Sequence, residues 1–271
     1  MISIAYRYET HMHTNLSSAC GKSKGSEYIP AFKDLGYDGI FITDHFYLGN
    51  TCISRSLPWD QWVDAYCRSF EEAKEAGDKA GLKVFFGWET SYEGEDFLIY
   101  GLDRRWLKAH PEIITWNQAE QYRQIHAAGG LVVQAHPFRE RDYQWEVKIH
   151  PHHCDAFEVA NCGNLPYMDA LAYEYARKHR ILMTSGSDLH NASQYLPASQ
   201  YALMTEQPLN SEQDYVRLIQ SGTGFSFSAP ENRFRESRMS PYFPVYIYDK
   251  KGTRRKRGFR PFPGVPVAPA P

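Results

Sequence analysis

The 271-residue chain is poor in cysteine: Cys20, Cys52, Cys67, Cys154 and Cys162 are odd in number, scattered, and form no C-x-x-C pair. That excludes a disulfide framework and a structural zinc ribbon, and fits reduced thiols in a cytosol. Long hydrophobic runs are also missing: nothing approaches the roughly 18 apolar residues of a membrane span. The amino terminus, MISIAYRYETHMH, lacks the apolar stretch of a secretory leader, so a soluble, cytoplasmic protein is expected. Neither charge sign dominates, since 30 basic residues face 32 acidic ones for a net charge of −2. The balance is uneven, however. Seven of the basic side chains (Lys250, Lys251, Arg254, Arg255, Lys256, Arg257 and Arg260) lie in residues 250 to 271 without an acid, which leaves 23 against 32, or −9, in residues 1 to 249. A body of that sign is not a general nucleic-acid binder, and an acidic site needs bound cations before an anionic substrate is comfortable there. What the chain does have is core material, 42% hydrophobic and 15% aromatic, which excludes disorder as its main state.

Short β-rich runs alternate with helical stretches. The expected strands are residues 3 to 11, 39 to 44, 83 to 89, 97 to 101, 131 to 136, 156 to 161, 181 to 187 and 201 to 205. Between them lie expected helices over Ser26 to Leu35 with a serine cap, Trp59 to Ala80, Asn117 to Ala128, Pro166 to His179 and Ser211 to Gln220. This alternation predicts an α/β protein with a parallel sheet closed, or nearly closed, into a barrel. After Gly224 the pattern fails. The rest is turn-rich, has one strand-like run (244 to 248), and ends with five prolines in its last eleven residues, which reads as a flexible tail. The expected division is therefore a barrel domain over 1 to 224 and an extension over 225 to 271.

Histidines and acids collect at the carboxyl ends of these strands, where barrel enzymes assemble their sites. His11 and His13 end the first strand in H-x-H spacing, and alternate strand residues share a face, so both imidazoles can address one ion. Asp44 and His45 end the second strand, Glu89 the third, His136 the one ending before Pro137, and Asp188 and His190 repeat the alternate spacing after ILMTSGS. Imidazoles and carboxylates without thiolates indicate a catalytic divalent site for zinc, manganese or iron. A second group, His150, His152 and His153, sits in a proline-containing segment away from any strand's carboxyl end and reads as a surface loop. His126 and His179 read as helix packing.

The stretches ETHMHT (9 to 14), GYDGIFITDHF (36 to 46), FFGWET (85 to 90), LVVQAHPF (131 to 138), FEVANCG (157 to 163) and SGSDLH (185 to 190) resemble the PHP (polymerase and histidinol phosphatase) metal-dependent phosphoesterases, over roughly residues 1 to 205. The resemblance implies a distorted (β/α)7 TIM-like barrel with up to three metals at the carboxyl ends of its strands. It implies one ion on His11, His13, Glu89 and Asp188, a second sharing Glu89 and taking His136, and a third on His45 and His190. Two departures stand out. Where the family places an acid after H-x-H, residues 14 to 21 offer only Asn15, Ser17, Ser18 and Cys20, and where many members have a histidine after the bridging glutamate, Asp96 is the available substitute.

Such ions lower the pKa of a bound water to about 7 and neutralise charge on a phosphoryl group, which predicts phosphoester hydrolysis. Glu89, Asp188 and His190 are the expected catalytic residues: a bridging carboxylate, a group that steers the water, and a proton donor to the leaving oxygen. Arg139 and Lys22 are the expected phosphate-binding cations. Asp44 is expected to orient an imidazole, and Glu158 and Asn161 either shape the pocket floor or satisfy backbone groups. The preferred substrate is a small phosphorylated metabolite or a nucleotide. A nuclease or phosphodiesterase, and a non-catalytic metal-holding binding module acting through the basic tail, are the alternatives.

Overall fold

The computed structural model of the chain describes residues 6 to 235 and 241 to 257. In chain order its strands and α-helices are β1 (Tyr6–Glu9), α1 (Gly25–Asp34), β2 (Gly39–Ile42), α2 (Trp59–Ala80), β3 (Lys83–Ser91), β4 (Asp96–Tyr100), α3 (Arg104–Ala109), α4 (Gln118–Ala127), β5 (Leu131–Ala135), β6 (Val147–Ile149), β7 (Ala156–Asn161), α5 (Pro166–His179), β8 (Leu182–Gly186), α6 (Tyr195–Ala198), β9 (Ala202–Thr205), α7 (Glu212–Ser221), β10 (Phe225–Ser228), β11 (Val245–Tyr248) and β12 (Arg254–Arg257). The main sheet runs β10-β9-β1-β2-β3-β4-β5-β7-β8. Its ends approach each other, and the Ser185 hydroxyl donates to the Ser228 carbonyl at 2.9 Å, so the sheet is a nearly closed α/β barrel.

The barrel is not purely parallel. β4 and β9 oppose the other strands. Between β3 and β4 there is no crossover helix, only a tight turn in which Tyr92 N–H donates to the Glu95 carbonyl at 2.8 Å, and a hairpin that short forces antiparallel pairing. Turn chemistry, more than strand pattern, decides the direction here.

Period-two alternation sorts the side chains. Phe41 on β2, Phe85 on β3, Leu131 and Val133 on β5 and Ala156 on β7 pack together with Tyr8, Tyr100 and, from α7, Tyr215 and Ile219. The same faces continue two to four residues on into Thr43 and His45, into Glu89, and into Glu158, so an apolar floor passes directly into a polar layer. The opposite faces, including Phe86, Trp88, Phe157 and Val159, meet helices. α2 supplies Trp62, Val63, Tyr66 and Cys67 to that outer core, at the three-to-four spacing of one helical face, and ends at Gly81. There φ is 75°, a left-handed turn that glycine makes without Cβ strain.

Ser26 does not cap α1. Lys24 occupies that position, with Glu27 accepting from its backbone N–H at 3.1 Å, and Ser26 bonds Glu72 of α2 instead. The stretch after Gly224 is more ordered than its composition suggests. β10 extends the main sheet, and β11 pairs with both β12 and β6. β12 therefore makes part of the expected loose basic tail a strand. Arg260 and the proline-rich end lie outside the described residues. The β11–β12 hairpin also covers His150, which stacks on Tyr248 at 4.1 Å and is 1% exposed. His150 and His153 are thus buried, contrary to the surface-loop expectation, and only His152 is exposed. His126 stays at the surface and pairs with Asp155 at 3.2 Å instead of packing inward. No helix among the described residues is long and apolar enough to cross a membrane.

Candidate metal centre

The strand ends bring His11, His13, His45, Glu89, His136, Asp188 and His190 into one polar layer above the apolar floor. Four triads in this layer present ligand atoms within 4.8 Å of one another: His13, His45 and His190; His11, His13 and Glu89; His11, His136 and Asp188; and Glu89, Asp96 and His136. Asp96, the expected substitute for a histidine, thus lies beside Glu89 and His136.

The partners of each ring fix which nitrogen faces the centre. His11 donates from Nδ1 to Glu158 Oε1 at 2.9 Å. Ser18 gives its one hydroxyl proton to Asp44 at 2.6 Å, so it can only accept from His13 Nδ1 at 3.2 Å. His190 Nδ1 donates to the Asp188 carbonyl at 2.7 Å. In all three imidazoles Nε2 is left to face the centre, where His11 Nε2 and His13 Nε2 approach to 3.1 Å and Asp188 Oδ1 lies 3.4 and 3.1 Å from them. This is the arrangement in which ring orientation is set by a partner behind the ligand. Asp44 therefore orients His13 through Ser18, while Glu158 also accepts from His136 N–H at 3.1 Å and from Asn161 at 2.8 Å.

Buried atoms without partners point the same way. Both Glu89 oxygens, His136 Nε2 and His45 Nδ1 make no hydrogen bond, although Glu89 is 1% exposed and approaches His136 to 3.3 Å and His45 to 2.6 Å. An unsatisfied buried carboxylate is costly unless a cation completes it. These residues fit divalent ions.

Electrostatics follow the geometry. Burial pushes Glu89 up, but the His45 charge and the close approach of His11, His136 and His45 outweigh it and hold the carboxyl well below its usual range. Asp188 is likewise held low against burial by His11 and Arg139. Burial, with His190 and His45 nearby, drives His13 well below the ordinary imidazole value, and burial and Arg139 lower His136. These four are in their electron-donating forms. His11, although burial opposes it, is raised well above by Glu158 and Asp188 and keeps a proton that a cation would displace. Burial raises the Cys20 thiol, yet hydrogen bonds with His190 and His45 bring it down to about 6.

The backbone is bent to serve the site. His136 (φ 30°) and Asp188 (φ 55°) are two of the three non-glycine residues with positive φ among the described residues, a strained conformation that clusters at functional positions. Gly186 allows β8 to pass: a Cβ there would lie 2.5 Å from both Glu158 Oε1 and His11 Cβ.

An open cavity of about 490 Å³ leads to the centre, lined by His45, Glu89, His136, Asp188, Arg139 and Arg141 among others. Arg139 is braced on Asp188 at 2.6 Å and on Asn161 and Asn164 at 2.5 Å each. Lys22 departs from expectation. It is exposed, held by its backbone N–H to the His190 carbonyl at 2.7 Å, and does not line the cavity. Arg141 lines it instead, bonded to Asp96 at 3.1 Å and to the Tyr143 hydroxyl at 2.6 Å. Arg141 and Glu158's bond to His11 were not singled out by motif, although the R-x-R spacing after A-H-P offered a signal for the first, and Ser18, a candidate ligand in the sequence, instead bonds Asp44 and His13.

A nearly closed α/β barrel carrying such clusters at its strand ends has the metal-dependent phosphoesterase-like fold. The model of the PHP domain matches residues 9–223, and the chain belongs to that family. It is similar to a crystal structure of a two-domain protein from Bacteroides vulgatus containing a predicted PHP-like metal-dependent phosphoesterase, at 16% identity and a TM-score of 0.56, covering 83% of this chain and 64% of that one. PsfC from Pseudomonas syringae is 15% identical with a TM-score of 0.50, covering 85% of this chain and 94% of PsfC. In sequence, 85 residues are 31% identical to DNA polymerase III PolC-type of Lacticaseibacillus paracasei, and the chain spans 5% of that polymerase's length.

Proposed function

We propose that the protein is a metal-dependent phosphoesterase that hydrolyses a phosphomonoester of a small metabolite or nucleotide. The observation that carries this reading is the buried Glu89 carboxylate, without a hydrogen bond at either oxygen and ringed by four histidines at the foot of an open cavity. Two or three divalent ions, zinc, manganese or iron, would supply charge neutralisation at the phosphoryl oxygens and an acidified water. His11, His13, Glu89 and Asp188 would hold one, Glu89 and His136 with Asp96 a second, and His45 and His190 a third.

The other steps belong to the chain. Asp188, fixed by Arg139, steers the attacking water with its carboxylate. His190, whose Nδ1 is bonded to the Asp188 carbonyl, gives a proton to the departing oxygen from Nε2 when that nitrogen carries a proton in place of the third ion. Arg139 has N–H groups beyond its three bonds, and with Arg141 it binds the phosphate in place of Lys22. A second reading, cleavage of nucleic-acid phosphodiesters, is favoured by the polymerase match and by the exposed rings of Tyr143 and Trp145 beside β6, to which the basic hairpin is joined. A panel of phosphate monoesters, nucleotides, phosphodiesters and single-stranded oligonucleotides, tested with chelator-stripped and metal-reloaded protein, separates the two. Metal-dependent phosphate release from monoesters supports the first, and shortening of oligonucleotides alone supports the second.

A further inference from the structure

The cavity over the metal centre is larger than a phosphate needs. Its volume of about 490 Å³ is that of a pocket for a whole small molecule. The charged part of its lining is tied together, with Arg139 on Asp188 at 2.6 Å and Arg141 on Asp96 at 3.1 Å. The loop after His45, the end of β3 and its turn contribute Leu48, Asn50, Ser91 and Tyr92 to the rest of the wall, and the segment before β6 contributes Tyr143. None of these five side chains is charged at neutral pH. A ligand with an anionic head and an uncharged body matches a wall divided in this way.

Two aromatic rings line that wall, and they differ. Tyr92 is partly buried and packs edge-on against Phe97 at 5.8 Å, so it belongs to the core. Tyr143 is 70% exposed. Its hydroxyl accepts from Arg141 Nη1 at 2.6 Å, which fixes the ring by its polar tip to a phosphate-binding cation while most of the ring is left to solvent. Leu48, 47% exposed, adds a further apolar surface to the same cavity. A ring that is anchored at one end and bare over the rest is a surface on which a planar group can stack. Trp145 is 75% exposed but does not line the cavity, so the wall offers one such ring.

We infer that Tyr143 is the specificity-determining residue of this cavity, a platform on which the aromatic base of the substrate stacks while Arg139 and Arg141 hold its phosphate. The substrate class is then a mononucleotide: its base and phosphate are joined by an uncharged sugar, which suits the uncharged wall, and a sugar or polyol phosphate would leave the ring uncovered. The inference rests on the phosphoesterase reading above and narrows its substrate.

The test is calorimetric titration of the metal-reloaded, full-length protein with two phosphonates that have no ester bond to break: adenosine with its 5′ ester oxygen replaced by a methylene, and the same ribose phosphonate without the base. The expected result is that the wild type binds the nucleoside phosphonate about tenfold more tightly than the ribose phosphonate, that Tyr143→Ala brings the ratio near one, and that Tyr143→Phe, which keeps the ring and loses the hydroxyl, keeps the ratio. A wild-type ratio near one, binding of neither phosphonate, or a ratio that survives Tyr143→Ala overturns the inference, the last being what a tyrosine that only braces Arg141 would give. Hydrolysis of phosphate monoesters is measured beside it. The expected ratio without hydrolysis of any monoester overturns the phosphoesterase reading and leaves the base platform standing, whereas hydrolysis without the ratio does the reverse.

Discussion

Glu158 decides more at the scale of single residues than its place outside the ligand set suggests. One carboxylate accepts from His11, from the His136 backbone and from Asn161, so it sets two imidazoles at once. Glu158→Gln keeps the volume but offers only one accepting oxygen, so a donor meets a donor on one side or the other. Metal affinity should fall about 10- to 100-fold with circular dichroism unchanged, as read by isothermal titration. Ser18→Ala, which cuts the link from Asp44 to His13, should cost about tenfold by the same measurement. Unaltered affinity in both would mean that the ligands do not need these partners. The candidate ligands were legible in the sequence because strand parity and strand ends place them without knowledge of tertiary contacts. Their partners were not, because a bond between Glu158 and His11 spans 147 positions and leaves no periodic trace.

Among elements, α5 and the segment after β10 are joined by a buried pair. Arg233 donates to Asp169 at 2.6 Å and to the carbonyls of Asn161 and Asn164 at 2.8 and 2.6 Å, so it clamps the end of β7. Arg233→Met should destabilise the fold by about 3 kcal/mol in urea unfolding, because Asp169 is left buried without its cation. Burial lifts the Asp169 carboxyl from 3.8 to about 6 even though Arg233 opposes the shift. A pKa higher in the folded state means tighter proton binding there, so this carboxyl's contribution is full below about pH 4 and is lost as pH rises through 6. Stability of the wild type relative to Asp169→Asn should therefore decline across that window and be flat above about pH 7. The bounds of α2 and α5 were readable from caps and apolar spacing. β6, β10 and β12 were not, because at three or four residues they are too short to show a period, and β6 exists by pairing with β11 about a hundred residues away.

For the whole molecule, the polar layer at the strand ends and the apolar floor beneath it are two halves of one construction. The floor fixes the strands, and the strand ends fix the ligands. Several ligands hold protons while their neighbours hold lone pairs, so metal uptake should release protons and weaken as pH falls, since His11, His45 and His190 are all raised above the ordinary imidazole value. Titration in two buffers of different ionisation enthalpy measures that release. The barrel class and the location of its site were open to sequence reasoning because strand order and strand-end chemistry are local. The hairpin that buries His150 depends on a contact between β6 and β11 across about a hundred residues.

The central claim is that this cluster is a hydrolytic metal centre. Phosphate release from the monoester panel, measured on stripped protein, on protein reloaded with manganese or zinc, and on reloaded Glu89→Gln, tests it most directly. The account predicts turnover only in the reloaded wild type and a fall of at least about a hundredfold in Glu89→Gln. Turnover that survives both metal removal and Glu89→Gln would contradict it.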